Sequence, residues 1–468
     1  MNTVRAMITP APPPQAGAEL DNPRAAVGQD GEGGCGMVRS AGYLVARRAA
    51  AWGLMLAFGL AASAEAADRA LDALADTAAA LCRAADRDHT AMAGMIGARA
   101  GAERVRGRGG QPVRIRRHFE TEAGGALHLV LDRFGGVLRG VTLERYLVGD
   151  DGERRPEAVV LLGGDCAPSH ARRIVYDDTG LALEIVQYGS DLSEQGPAEP
   201  LNPPLPVRRE SAMADGVIVA HIDSGLAYTL PRFADRLVYG PDGRPLGYDY
   251  WDMNDRPFDA ETSRSIFFPL RHGTRVASVL LREAPEARII PYRYPRPDMS
   301  RMTALIADAA AAGARIVLMP MGSSDPDDWS AFEDAAWAHP DLLFVLSAGN
   351  DNRDLDAAPA WPAALSLDNA VVVTSAEEDG RLARGVNWGS RTVDLMVPAE
   401  NIEVVDHRGA RQIDSGTSFA VARLGALAAR RLAEAPETTP AELKAALFAL
   451  AEPAEGVRHG WIGNPDAR

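Results

Sequence analysis

A proline-rich stretch, SDLSEQGPAEPLNPPLPVRRE, divides the chain into two regions of different periodicity. Before it come short runs such as ALHLVLDRF, VLRGVTLERYLV, EAVVLLG and LALEIVQYG, separated by the turn sequences GDDGE and DDTG. Glycine- and aspartate-rich turns between such runs favour hairpins, so this region predicts an antiparallel sheet. Residues 68–95 precede it with apolar positions three and four apart, the spacing of a helix. Together they predict an α+β module over residues 67–195, followed by a linker at 196–211. Beyond the linker, short apolar runs (VIVA, LLFVL) alternate with helical patterns (VASVLL, VARLGALAARRLAEA). That alternation predicts an α/β domain.

The N-terminal end carries a different kind of signal. Residues 1–36 are rich in Pro, Gly and Ala without periodicity, and read as a disordered or over-called stretch before a start at Met37. Residues 37–66 read as a signal peptide. MVRSAGYLVARR supplies positive charge, the uncharged run AAAWGLMLAFGLAASA follows, and small residues stand at A-x-A spacing near Ala64 and Ala66. The run is short for a membrane span, so no stable span is expected after cleavage. The competing reading is a disordered leader before a short membrane anchor. Export to a bacterial periplasm or beyond is the expectation. Of three cysteines, Cys35 would be lost, leaving Cys82 and Cys166. An oxidising compartment permits a bridge between them, and two separate buried thiols are the alternative.

Composition removes several function classes. The only lysine is Lys444, within a late helical pattern, so there is no P-loop lysine and no Schiff-base candidate. Sixty-four acidic residues stand against 49 basic ones, a net charge of -15 that disfavours nucleic-acid binding.

Four short motifs in the α/β region carry chemistry. Asp223-Ser224-Gly225 closes the strand that begins at Val217, where open α/β sheets place functional groups. His272-Gly273-Thr274 opens the helix VASVLL, and Ser347-Ala348-Gly349-Asn350 follows the strand LLFVL. Ser418, within Ser415-Gly416-Thr417-Ser418, opens a long helix, near the positive end of its dipole. Singly, each has a plain structural reading: a strand-end aspartate, a packed histidine, a turn asparagine, an N-cap serine.

Together, in the order Asp223, His272, Asn350, Ser418, these motifs resemble those of the subtilisin-like serine proteases. GYDYWDMNDRPFD, GARIVLMPMG, WPAAL, NWGS and VDLMVPA match further landmarks of that family, over residues 212–463, leaving a tail at 464–468. The resemblance implies a mostly parallel sheet with helices on both faces. It implies peptide-bond hydrolysis by Asp223, His272 and Ser418, with Asn350 donating to the oxyanion. It further implies substrate contacts along Met321, Gly322 and Ser323 and around Ser347, Ala348 and Gly349, and no required cofactor. By position, residues 67–195 resemble a propeptide that would assist folding or block the cleft, or else a retained accessory domain.

The chain departs from the family pattern near the histidine. Arg271 replaces a usual glycine, Arg275 stands where a second histidine is common, and Ser278 where glycine is common. The two arginines put positive charge beside His272, which disfavours the imidazolium unless Asp223 and solvent offset it; the alternative is that they favour acidic substrate residues. His221 could tune Asp223 or simply be a packed, hydrogen-bonded histidine. Asp249, Asp252, Asn254, Asp255 and Asp259 could ligate structural calcium through oxygens or form a solvated loop. The alternative to a peptidase is a catalytically silent binding or scaffold protein on the same fold. An esterase is disfavoured because no G-x-S-x-G elbow is present.

Overall fold

The computed structural model describes residues 68–465, apart from 109–110, 150 and 211. The leader and signal segments therefore lie outside the described residues. Helices α1 (68–83) and α2 (His89–Met95) open the module. An eight-stranded antiparallel meander follows: β1 (Arg99–Arg108), β2 (Gln111–Glu120), β3 (Ala126–Phe134), β4 (Val137–Val148), β5 (Arg154–Gly163), β6 (Pro168–Tyr176), β7 (Ala182–Tyr188) and β8 (Glu199–Pro200). Leu71, Leu74, Ala78 and Leu81 of α1 cover one face, packing on Phe119, Leu129, Leu143 and Val160. The period-2 pattern makes this work: Val160 turns toward α1 while its neighbour Val159 turns to the opposite face. A disulfide joins Cys82 to Cys166, tying the end of α1 to the turn between β5 and β6.

The segment expected to be a linker is only partly one. Glu199–Pro200 pairs with β7, and Leu201 and Asn202 are buried. Sequence composition marked its prolines but not the apolar residue that anchors it.

The second region is built on β9 (Val217–Asp223), β10 (Tyr248–Asp249), β11 (Ala287–Arg293), β12 (Ile316–Met319), β13 (Leu343–Ser347), β14 (Ala370–Ala376) and β15 (Leu395–Pro398). With β18 (Gly460–Trp461) they form one parallel sheet in the order β10-β11-β9-β12-β13-β14-β15-β18. A separate hairpin holds β16 (Ile402–Val405) and β17 (Arg411–Asp414). Besides the four-residue α3 (Pro231–Ala234), the helices are α4 (Gly273–Glu283), α5 (Met302–Ala311), α6 (Ser330–Ala338), α7 (Thr417–Glu434) and α8 (Pro440–Ala449). Alternate residues of each strand serve opposite cores. Val219, Leu318 and Val345 pack with α4 and α7, whereas Ala220, Val317 and Phe344 pack with α5 and α6. Both faces are thus buried, which is why these strands read as unbroken apolar runs. Among the described residues, no helix is long and apolar enough to cross a membrane.

The two regions meet through the far face of the module's sheet. Val159, Ile174 and Ile185 form one buried cluster with Leu201 and with Ala260 and Phe267 of the α/β region. The segment they cover leads directly into His272.

Candidate active site

Asp223 ends β9 and is nearly fully buried. Its carboxylate accepts from the Ser224 N–H at 2.6 Å and faces His272, whose Nδ1 lies 2.8 and 2.9 Å from the two oxygens. Burial pushes the aspartate's pKa up, but the attraction of His272 and its hydrogen bond outweigh this and hold it below the ordinary value. Burial likewise pushes the imidazole down. The Asp223 charge and hydrogen bond, with Asp259 behind them, overcome burial and the opposing Arg275, so His272 stands above its ordinary value.

His272 itself precedes the first turn of α4, where backbone N–H groups need external acceptors. Ser224 Oγ accepts from the N–H of His272 and Gly273, and Asp259 accepts from His272 and Thr274 at 3.1 and 3.0 Å. Ser224 and Asp259 are joined at 2.6 Å. Gly273 is required by space: an added Cβ would overlap the Gly225 carbonyl. Asp259, read from sequence as a calcium candidate, is thus a buried anchor of the histidine's backbone.

Ser418 lies in the first turn of α7, after Gly416 at φ 126°, a value that L side chains rarely adopt. Its hydroxyl donates to the Pro320 carbonyl at 3.4 Å, and among the described residues no hydrogen bond joins it to His272. Asn350 is oriented without ambiguity. Its Oδ1 accepts from the Thr417 N–H at 3.1 Å, and a backbone N–H can only donate, so the free Nδ2 is a donor.

The proposed substrate residues converge. Met321, Gly322, Ser323, Ser347, Ala348, Gly349 and Asn350 line one cavity of about 430 Å³ together with Ser418. An adjoining cavity of about 590 Å³ is lined by Asp223, His272 and Tyr294 and shares Pro320, Met321 and Gly322 with the first. Not all of these residues have free main chain. Ser323 exchanges both backbone bonds with Trp361, at 2.8 and 2.9 Å, leaving Met321 and Gly322 as the open edge. Ser347 is held by Thr417 Oγ1 at 2.7 Å. Asn387, within the matched NWGS, was not singled out as a site residue. Its buried amide donates to the Ala348 carbonyl at 2.8 Å and accepts from the N–H groups of Asp351 and Arg353, fixing the Asn350 turn.

The two arginines beside His272 take different places, and only Arg275 lines the cavity of His272. Arg271 turns its buried guanidinium away from the cleft, to Glu199 at 2.7 Å and to the Pro200 and Asp259 carbonyls. It is therefore not free to contact an acidic substrate residue. Arg275 pairs with Asp414 at 2.5 Å and reaches back to the Arg271 carbonyl, linking the histidine's helix to the residues before Ser418. Ser278 Oγ bonds Arg275 and the Val405 N–H, docking β16 on α4. His221 is fully buried and hydrogen-bonded to the Gly273 carbonyl at 2.9 Å; burial lowers its pKa and keeps it neutral. Three of the acidic residues weighed as calcium ligands have arginine partners instead. Asp249 and Asp252 pair with Arg293, and Asp255 with Arg244. No group of three or more His, Cys, Asp or Glu among the described residues is placed to hold a metal.

Comparison with known proteins identifies the family. The family model described as the subtilase family matches residues 214–461, just over half of the chain, and the chain belongs to that family. It is 28% identical over 233 residues to a thermophilic serine proteinase of Bacillus sp. (strain AK1), covering 46% of this chain and 52% of that one. It is 26% identical over 238 residues to subtilisin-like protease 1 of Trichophyton verrucosum, covering 48% and 54%. The chain thus spans about half the length of the curated relatives it matches. A solved cold adapted subtilisin-like serine proteinase superposes with a TM-score of 0.43 at 26% identity, over 56% of this chain and 92% of that one.

Proposed function

We propose that the chain is an exported serine endopeptidase working through Asp223, His272 and Ser418. The observation that carries this reading is the pairing of His272 Nδ1 with both oxygens of buried Asp223, in a cavity adjoining that of Ser418. With Nδ1–H donated to the aspartate, Nε2 is left as the base.

Rotation of the Ser418 hydroxyl from Pro320 toward Nε2 starts the reaction; such bonds commonly tighten only once substrate is bound. Ser418 Oγ attacks the scissile carbonyl carbon and its proton passes to His272. Asn350 Nδ2 and the Ser418 N–H donate to the developing oxyanion. The C–N bond then breaks, the imidazolium returns its proton to the departing amine, and an acyl-enzyme remains. Water attacks that ester with His272 again as base. The peptide lies as an added strand along Met321 and Gly322, which gives affinity through main-chain bonds.

Export is supported by the uncharged run after Arg48 and by the Cys82–Cys166 bridge, since disulfides persist in oxidising compartments. All residues lining the two cavities belong to the α/β region, so a cleft-blocking role for the module is not part of this reading. A fluorophosphonate probe tests the proposal: wild type should be labelled on Ser418 and Ser418→Ala should not. Labelling of wild type no greater than that of Ser418→Ala would reject it.

A further inference from the structure

The module carries one carboxylate that reaches both segments of the active site. Glu199, only 12% exposed in its side chain, sits in the two-residue strand β8. Three groups converge on it: Arg271 at 2.7 Å, Arg172 at 3.6 Å and His407 at 3.5 Å. Arg271 is the residue before His272. His407 lies in the turn between β16 and β17, and β17 ends at Asp414, four residues before Ser418. Asp414 in turn holds Arg275 on the histidine's helix. Burial pushes Glu199 up, but His407 and Arg271 beside it reverse this and hold it down at about 2.

The surrounding contacts leave little freedom. Arg271 is a buried cation whose acceptors are Glu199, the Pro200 carbonyl and the Asp259 carbonyl, so two of the three come from the module's last strand. A buried guanidinium without its carboxylate is costly, and the chain around it must rearrange to reach water. Arg172 donates to the Phe267 carbonyl at 2.8 Å and stacks over Phe268, while Phe267 fills the apolar cluster beneath the module's sheet. The other side of this segment faces the catalytic cleft, where Glu261 and Leu270 line the cavity of His272. The module therefore backs one wall of the cleft without entering it.

We infer that Glu199 is a positioning residue, and that through Arg271 the N-terminal module holds the segment bearing His272, which Arg275 ties to Asp414 ahead of Ser418. The module then acts as a working part of the enzyme rather than as a plug of its cleft. Arg271, the departure from the family's usual glycine, is accounted for by the same contact. This inference rests on the peptidase reading for its kinetic consequence, but the contact itself does not.

The test uses the full chain with Glu199→Ala, Glu199→Gln and Glu199→Ala/Arg271→Ala. Three quantities are read: the rate of fluorophosphonate labelling per folded molecule, thermal unfolding, and the NMR titration of His272. Glu199→Ala should slow labelling roughly tenfold or more, because small misplacements of catalytic groups are costly. Glu199→Gln, which keeps an acceptor for Arg271, should lose less. The double variant should label several-fold faster than Glu199→Ala, since the stranded cation is gone. The His272 midpoint should fall in Glu199→Ala, where an unpaired Arg271 joins Arg275 against the imidazolium held by Asp223 and Asp259, and return in the double variant. Unchanged labelling and an unchanged midpoint in folded Glu199→Ala overturn the inference, as does a double variant no better than the single one. If wild type itself does not label, the peptidase reading fails, and the His272 titration alone decides this one.

Discussion

Asn350 offers a perturbation whose effects on rate and on stability separate cleanly. Its Oδ1 accepts from the N–H and Oγ1 of Thr417 at 3.1 and 3.2 Å, and its Nδ2 is free. In Asn350→Ala the rate loses an oxyanion donor, a loss of about 10²–10³ in kcat, or roughly 2.7–4 kcal/mol of transition-state stabilisation. Stability loses both hydrogen bonds to Thr417, a fully buried residue, and the stranded N–H costs about 1–3 kcal/mol. KM should hardly move, because the donor is used after the carbonyl becomes tetrahedral. Asn350→Asp is the sharper companion. One carboxylate oxygen can keep both Thr417 bonds, while the other sets an anion against the developing oxyanion, so stability is retained and kcat falls at least as far. The assay is steady-state cleavage of a peptide amide, with thermal unfolding of each variant alongside. Asn350→Ala with kcat within threefold of wild type, at unchanged folding, would refute the role given to Nδ2.

Other expectations follow from the same geometry. His272 stands above its ordinary 6.5 and must be neutral to act as base, so kcat/KM should rise with pH through an acid limb whose midpoint exceeds 6.5. A pH–rate profile with its limb well below that value would contradict the Asp223 pairing. The Cys82–Cys166 bridge closes 84 residues, for which chain entropy gives about 4–5 kcal/mol. Cys82→Ser should therefore lower the urea midpoint markedly, and reductant should affect wild type but not the variant. Asn387→Ala strands the buried Ala348 carbonyl, at about 1–3 kcal/mol, and frees two N–H groups that water can reach. Both the melting temperature and substrate affinity should drop, as measured by thermal scan and KM.

The motif residues were legible because their chemistry is fixed to local backbone: a strand end for Asp223, a helix N-cap for His272, a helix first turn for Ser418, a strand-following turn for Asn350. The antiparallel module and the α/β domain were legible from periodicity. What sequence could not supply was long-range pairing. Asp259 stands in an acidic run that looks the same whether it binds a cation or, as here, backbone N–H groups of α4. Arg271 beside His272 reads as a cleft charge until the fold shows its guanidinium pointing to Glu199. Glu199 hid among prolines, because a two-residue strand leaves no periodicity to detect. Asn387 was visible only as part of a landmark; its role depends on reaching a turn 36 residues away in sequence.

The central claim is that Ser418 forms a covalent acyl-enzyme with His272 as its base. Acid-quenched reaction with an activated peptide ester, followed by peptide mapping, tests it most directly. The account predicts a stoichiometric burst of leaving group and an acyl adduct on the peptide containing Ser418, abolished in Ser418→Ala and strongly slowed in His272→Ala. An adduct on another residue, or undiminished turnover in Ser418→Ala, would contradict it.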